Sequence, residues 1–265
     1  MNLRRVGILV LRYAFVYRRS VIRLVEVWFW PTMELLLWGY VTLFLQRVGE
    51  GAVPRLVTFL IGAMILWDVL YRAQQGITLS FLEDVWVRNL LNIFCAPVRL
   101  SEYIAATFLF GLMRVGVTLI SLAALAWGLY RFDLFEMGFA LIPFMVNLLI
   151  LGLALGVITT AIILRFGQAA EALAWAVPFL LQPFAAVFYP VSVLPPPLQV
   201  IARAIPCTYV FEGMREVLRT GTFRWDHFGW ALGLNALYLG LGLWLLVRMF
   251  NLARERGLLG RLTMQ

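Results

Sequence analysis

Six apolar stretches divide the chain, separated by short polar or proline-containing segments. They cover residues 25–45, 56–70, 103–130, 139–164, 172–188 and 228–250. A helix crosses the hydrocarbon core of a bilayer with about 20 predominantly apolar residues. The pattern therefore predicts an all-α membrane protein with six transmembrane helices.

The first 23 residues have a different pattern, because arginines interrupt every apolar run. Projected at 100° per residue, the six arginines of this segment fall within an arc of about 140°. The opposite arc is apolar and holds Leu3, Val6, Leu9, Val10, Tyr13, Val16 and Tyr17. This favours an interfacial amphipathic helix over residues 1–23, with its arginines toward water and lipid headgroups, rather than a cleavable signal peptide. Such a helix serves either as a topology anchor or as a docking surface for a cytoplasmic partner.

Residues 189–224 lie between the fifth and sixth apolar stretches and are too rich in proline to form a long helix. Five of the 11 prolines in the chain lie here: Pro190, Pro195, Pro196, Pro197 and Pro206. Each removes a backbone donor and disfavours helix at the residue before it. The amphipathic pieces at residues 198–204 and 209–218 are too short to cross a bilayer. Because polar backbone at membrane depth needs cover, we expect a re-entrant hairpin of two short helices at one face of the membrane.

Composition supports a membrane protein and excludes several kinds of chemistry. Apolar residues make up 63% of the chain, against roughly 45–50% in soluble domains. All 22 basic residues are arginine, which excludes a GxxxxGK phosphate-binding loop and a lysine Schiff base. One histidine and two cysteines do not suffice for a zinc site or a disulfide scaffold. We therefore expect no catalytic residues, no metal and no cofactor in this chain.

The net charge of +8 indicates the sidedness of the chain rather than a nucleic-acid partner. Arginines that flank membrane spans on the cytoplasmic side produce such an excess. The N-terminal segment, the 72–102 connection, the 165–171 turn and the C-terminal tail hold 14 arginines, whereas the two short outer loops hold three. The count predicts that both termini and the 72–102 loop are cytoplasmic and that the 189–224 hairpin is external. Cys95 and Cys207 would then lie on opposite sides of the membrane and not pair.

Four ionisable residues lie inside or beside the predicted spans: Glu34, Asp68, Arg72 and Arg114. Charged groups at membrane depth are costly and usually face each other or a cavity. Asp68 and Arg72 are four residues apart, which favours a local ion pair. Glu34 and Arg114 have no partner nearby in sequence, so they either pair between helices or contact a substrate.

A GxxxG motif occurs twice, at Gly152 and Gly156 in the fourth stretch and at Gly229 and Gly233 in the sixth. Small residues at this spacing allow helix backbones to approach each other closely. Because a six-helix bundle needs such contacts within one subunit, we expect intramolecular packing rather than dimerisation at both motifs.

The proline-rich run also carries a resemblance to a known family. Its sequence, FYPVSVLPPPLQVIARAIPCTYVFEGMREVL at residues 188–218, resembles the C-terminal half of ABC-2 type transporter permeases. The N-terminal interfacial helix, the six spans and the Ala96, Pro97, Val98 element of the inner loop also match. The resemblance therefore covers essentially residues 1–265 as a single transmembrane domain.

The resemblance implies a multi-pass permease subunit of an ABC exporter in the bacterial plasma (inner) membrane. Such a permease works as a homodimer with a separate ATPase subunit, which binds ATP and Mg²⁺. The family places the subunit interface mainly on the first and fifth spans. Its most specific positions here would form an external gate: Tyr189, Pro190, Leu194, Pro195 and Pro206.

The resemblance further implies a coupling helix in the inner loop, at about residues 85–95, that docks into a groove on the ATPase. Its apolar face would hold Trp86, Leu90, Ile93 and Phe94, with Glu83, Asp84 and Arg88 as polar contacts and Pro97 ending the helix. A helix laid into a groove needs such a mixed surface. An interfacial helix that touches only lipid is the alternative. The 165–171 turn would form a smaller second contact.

Several functions remain open at this point. Export of a lipid-linked polysaccharide or lipo-oligosaccharide fits the compact chain without a large outer domain, and drug or lipid efflux fits nearly as well. A membrane-embedded enzyme would need a catalytic cluster, which the scattered carboxylates and single histidine do not provide. A secondary transporter would show an inverted repeat, and the sequence has no convincing internal repeat.

Overall fold

The computed structural model describes residues 1–48 and 54–255, and within these ranges the chain contains helices and turns but no strand. The predicted outer loop at residues 46–55 lies largely outside the described residues, as does the end of the C-terminal tail. The α-helices are α1 (Leu3–Arg18), α2 (Val21–Val48), α3 (Pro54–Trp86), α4 (Leu90–Cys95), α5 (Leu100–Tyr130), α6 (Leu141–Phe166), α7 (Leu173–Leu181), α8 (Pro196–Ala204), α9 (Pro206–Thr220) and α10 (Trp225–Glu255). Short 3₁₀ turns cover Leu134–Ala140, Gly167–Ala170 and Val191–Val193.

Three helices in the described part of the chain are long and apolar enough to cross a membrane. They are α5, α6 together with the turn before it (Met137–Phe166), and α10. The prediction of an α-helical membrane protein is confirmed to this extent. Of the three, α6 is the most enclosed by other helices, because α3 and α10 pack along its sides.

The first GxxxG motif explains why α6 and α3 approach so closely. A Cβ atom on Gly152 would lie 2.8 Å from the Leu70 carbonyl oxygen, and one on Gly156 would lie 3.0 Å from that of Gln74. Intramolecular packing at this motif is therefore confirmed. The same prediction is wrong for the second motif, since a Cβ on Gly229 or Gly233 meets nothing within 4 Å.

Two apolar clusters occupy the two ends of the bundle. One, which we call the hairpin end, includes Phe144 of α6 and Phe211 and Met214 of α9. The other, the α1 end, includes Ile77, Leu90 and Phe250 and lies beside α1 and α4. The long helices α3, α6 and α10 connect the two ends, because each contributes residues to both clusters.

The predicted cytoplasmic connection at residues 72–102 is mostly helix. α3 continues to Trp86 and α5 begins at Leu100, so the connection is limited to residues 87–99. The polar side chains of Gln74 and Gln75 in this part of α3 are buried, and each donates from Nε2 to the Ala174 carbonyl oxygen, at 3.2 and 2.8 Å. These bonds give the two Nε2 donors a partner, since a donor that is buried alone is costly, and α3 continues through both residues.

The predicted fifth span at residues 172–188 is helical only in its first half. α7 ends at Leu181, two residues before Pro183, and the chain then continues in turns. Proline removes a donor and disfavours helix just before it. The segment nevertheless runs from the α1 end, where Ala174 is buried, to the hairpin end, where Val187 is buried.

The two short helices predicted between the fifth and sixth stretches are present as α8 and α9. Both begin with proline, Pro196 and Pro206, at a position where a missing N–H costs nothing. α9 buries one face, including Phe211 and Met214, against the bundle. We refer to α8 and α9 together as the hairpin.

Candidate functional site

α1 packs against protein along the face that we predicted to be apolar. Val6, Leu9 and Tyr13 are buried, and the Tyr13 ring stacks on Phe110 of α5 at 5.6 Å between centroids. The helix ends at Arg18 rather than at residue 23, and Arg23 belongs to α2. The apolar face of α1 therefore packs on α5, and the interfacial position of the helix stays a prediction.

Asp84, near the end of α3, holds α1 in place. Its carboxylate is 1% exposed and accepts hydrogen bonds from Tyr13 Oη at 2.6 Å and Tyr103 Oη at 3.0 Å. Arg12 of α1 forms an ion pair with the same carboxylate. Burial raises the pKa of Tyr13 well above its usual value, so its hydroxyl stays protonated and donates.

Two further carboxylates fasten α1 and the start of α2. Glu83 accepts from Tyr17 Oη at 3.3 Å and from Arg23 Nη1 at 3.1 Å. Burial raises the pKa of Tyr17 to about 12, which keeps this donor protonated as well. Glu102 accepts from the backbone N–H of Asn2 at 2.7 Å. The predicted role of Glu83 and Asp84 as contacts for a partner is wrong, because both side chains face α1.

The predicted coupling helix at residues 85–95 is broken into two pieces. α3 ends at Trp86, Arg88 adopts a positive φ of 56°, and α4 follows as a separate helix. Within α4, Leu90 is 0% exposed and Ile93 is also buried. The Phe94 ring contacts Tyr103 at 5.4 Å and Phe250 at 4.8 Å. The apolar face of α4 therefore packs into the bundle rather than facing a partner.

Three residues of the predicted contact set, Trp86, Arg88 and Pro97, face outward at this connection. The exposed side chains include Trp86, Val87, Arg88 and Leu91, and Pro97 is exposed after α4. Trp86 Nε1 donates to Glu171 Oε2 at 3.3 Å. This bond brings the 165–171 turn next to the connection, so the two predicted contact segments are neighbours. We call this region, Trp86, Val87, Arg88, Leu91 and Glu171, the connector surface.

Of the four charged residues inside or beside the predicted spans, two form an ion pair. Arg72 Nε donates to Asp68 Oδ2 at 2.7 Å, which confirms the local ion pair. The pair between Glu34 and Arg114 does not form. Arg114 lies over the Tyr17 ring at 4.9 Å from its centroid, and its Nε and Nη1 atoms are buried without a hydrogen-bond partner in the described part of the chain.

The predicted gate residues all belong to the segment around the hairpin. Tyr189 Oη donates to the Pro183 carbonyl, and the Leu194 carbonyl accepts from Gln199 Nε2 at 2.9 Å. Pro190 and Pro195 are the residues before the 3₁₀ turn and before α8, whereas Pro206 is the buried first residue of α9. The structure thus places these residues together, which leaves their gating role as a prediction.

Two residues that the sequence reading did not single out fix the hairpin to the segment before it. Glu212 Oε1 accepts from the Val191 N–H at 2.7 Å and forms an ion pair with Arg215 Nη1 at 2.9 Å. Arg215 also donates to the carbonyl oxygens of Ala186 and Val187, the latter at 3.1 Å. In the sequence, the only indication of this contact is a pair of opposite charges three residues apart on the amphipathic α9.

No protein-family model matches the chain, and no curated protein matches it significantly. In residues 1–48 and 54–255, no group of three or more His, Cys, Asp or Glu side chains is placed to hold a metal ion. Cys95 is exposed, Cys207 is buried, and both are free thiols, as we predicted. The functional proposal therefore rests on the connector surface at the α1 end and on the contacts around the hairpin.

Proposed function

We propose that this chain is the membrane-spanning permease subunit of an ABC exporter that couples to a separate ATPase chain. The observation that carries the proposal is the connector surface. Val87 and Leu91 are 62% and 43% exposed on a connection that has its own apolar side buried. Apolar side chains that stay exposed while others nearby are buried are typical of a site that binds a partner.

The connector surface has the composition that a groove on a partner protein requires. Trp86, Val87 and Leu91 supply apolar contact, and Arg88 and Glu171 supply charges beside them. Aromatic and arginine side chains are enriched at protein interfaces. We propose an ATPase as the partner, because the chain has no GxxxxGK phosphate-binding loop and would need another protein to bind ATP.

Contacts behind the connector surface provide a path for movement into the bundle. Phe94 of α4 contacts Tyr103, and Tyr103 donates to Asp84, which in turn holds Tyr13 of α1. A displacement of the connection by an ATPase therefore moves α4 and α1 together. In this proposal the bundle transmits the movement along α3 and α10 to the hairpin.

The proposed topology has six crossings and both termini in the cytoplasm. Helices α2, α3, α5, α6 and α10 cross the bacterial plasma membrane, and the 173–188 segment completes the sixth crossing. The distribution of arginines supports this orientation, with the α1 end inside and the re-entrant hairpin outside. Two copies would enclose the path of a glycolipid, polysaccharide or other amphipathic substrate.

The test is binding to the ATPase encoded nearest to this chain. We expect Val87→Asp and Leu91→Asp to lose copurification with that ATPase, because each puts a charge into an apolar contact. Val87→Ile and Leu91→Met are matched controls that keep the surface apolar and should retain binding. Copurification that is undiminished in both Asp variants contradicts the proposed docking surface.

Leu90→Asp separates loss of docking from loss of folding. Its side chain is fully buried, so an Asp there should lower the yield of folded protein in detergent. Size-exclusion profiles should therefore differ between Leu90→Asp and Leu91→Asp, although the two positions are adjacent. A normal profile for Leu91→Asp with no ATPase bound supports the proposal.

A further inference from the structure

A cleft at the hairpin end has no part in the coupling proposed above. It occupies about 360 Å³ between the start of the hairpin and the first turn of α10, within the range of about 300–1,000 Å³ typical of small-ligand pockets. The polar lining residues are Ser192, Gln199, Arg203, Thr208, Tyr209 and His227, together with one carboxylate, that of Glu212. These side chains are mostly hydrogen-bond donors, in contrast to the apolar surroundings of the bundle.

Two polar atoms at the cleft have no partner. Thr208 is only 2% exposed, and its Oγ1 makes no hydrogen bond in the described part of the chain. His227 is only half-buried, but its Nδ1 atom is buried and likewise makes no hydrogen bond there. Buried polar atoms in native proteins are nearly always paired, so both atoms indicate a ligand that the protein alone does not supply.

The charges around the cleft leave one arginine in excess. Glu212 pairs with Arg215 at 2.9 Å, Glu216 with Arg219 at 3.0 Å, and Asp226 with Arg224. Arg203 makes no ion pair with any residue that the structure describes. Each nearby carboxylate thus has its own arginine, and the cleft retains the positive charge of Arg203.

The backbone adds to this positive charge. Thr208 lies in the first turn of α9, a helix of 15 residues. The N-terminus of a helix carries a partial positive charge that favours anions. Tyr209 Oη donates to the Arg203 carbonyl oxygen at 2.9 Å, which ties the end of α8, where Arg203 lies, to the start of α9.

We infer that this cleft binds a phosphate group, held by Arg203, Thr208 and His227. A tetrahedral phosphate accepts hydrogen bonds in several directions, which suits donors on α8, α9 and α10. The group comes either from inorganic phosphate or from the headgroup of an anionic phospholipid. This inference does not depend on an ATPase partner, so a negative result for the proposed function would not contradict it, and the reverse is also true.

The test uses the full chain purified in a neutral detergent. One arm titrates inorganic phosphate by calorimetry, and the other counts bound phosphatidylglycerol by native mass spectrometry. We expect Arg203→Gln and Thr208→Val each to weaken binding by about tenfold or more, the usual effect of losing a hydrogen bond to a charged group. Arg203→Lys and Thr208→Ser retain a donor and should restore most of the affinity.

The two arms distinguish the source of the phosphate. Binding of inorganic phosphate that depends on Arg203 and Thr208 identifies a site for a free anion. Binding of phosphatidylglycerol alone, with the same dependence, identifies a headgroup site. The inference is overturned if neither probe binds, or if Arg203→Gln and Thr208→Val bind as tightly as the unmodified protein.

Discussion

A single buried carboxylate, Asp84, joins three helices at the α1 end. Removing a carboxylate from water costs several kcal/mol unless hydrogen bonds and opposite charge replace the solvent. Asp84 has both, through Tyr13, Tyr103 and Arg12. The donors come from α1 and α5, so the contact holds α1 on the bundle more firmly than its short apolar face alone.

This contact predicts a measurable loss of stability. Tyr13→Phe removes one donor and should lower the free energy of unfolding by about 1 kcal/mol, and Asp84→Asn by about 1–3 kcal/mol. Both variants should also expose α1 to protease. Thermal unfolding in detergent and limited proteolysis of the first 20 residues measure the two effects.

Tyr130→Phe is the matched control for this prediction. The Tyr130 hydroxyl makes only a long hydrogen bond of 3.4 Å, to the Leu36 carbonyl, so its removal should change little. If Tyr13→Phe unfolds at the same temperature as Tyr130→Phe and resists protease equally, Asp84 does not fasten α1.

At the scale of the helices, close approach depends on glycine at a few contacts. α3 and α5 touch through Gly76 and Gly111, where a Cβ added to Gly76 would lie 2.5 Å from the Gly111 Cα. No real Cβ atom tolerates backbone at that distance, so the helices would have to separate. The spacing of Gly152 and Gly156 within α6 predicts their close contact, whereas Gly76 and Gly111 lie on two different helices and form no sequence motif.

Gly76→Ala and Gly111→Ala should each destabilise the protein by about 1–3 kcal/mol, the usual cost of overpacking. Gly116→Ala on the same α5 is the control, because a Cβ there meets nothing within 4 Å. Its higher helix propensity should stabilise the protein by up to about 1 kcal/mol. Melting temperatures in detergent that change equally for all three variants would show that the contact is not tight.

At the scale of the whole molecule, the two ends of the bundle should face opposite sides of the membrane. Cys95 is exposed at the α1 end, whereas Val193 is exposed beside the hairpin. With the proposed orientation, a membrane-impermeant maleimide should label Cys95 only from the cytoplasmic side. Val193→Cys, made together with Cys95→Ser, should be labelled only from outside.

The labelling experiment uses whole cells and inverted membrane vesicles. Cys207 is buried, so the Cys95→Ser variant should remain unlabelled in both and report the background. Labelling of Cys95 and Val193→Cys from the same side would contradict the proposed path of the chain between the two ends.

Much of the helical architecture was predictable from local patterns. The spans that became α5 and α6 were placed to within three residues of their observed limits, because long apolar runs have no other way to satisfy their backbone in a membrane. The prolines likewise predicted α8 and α9, since Pro196 and Pro206 both act on the residues next to them. Asp68 and Arg72 paired as expected because they are one helical turn apart.

The tertiary structure decided which surfaces these patterns face. Periodicity in the sequence shows that a helix has an apolar side, but the element that covers it comes from elsewhere in the chain. Glu83 and Asp84 were predicted as polar contacts for a partner protein, yet the residues of α1 and α2 that they bind lie 60 to 72 positions away in this chain. The same reason explains why the sequence did not predict that the apolar side of α4 is buried, or that Arg114 has no ion-pair partner among the described residues. Burial and ion pairing depend on neighbours that only the folded chain brings together.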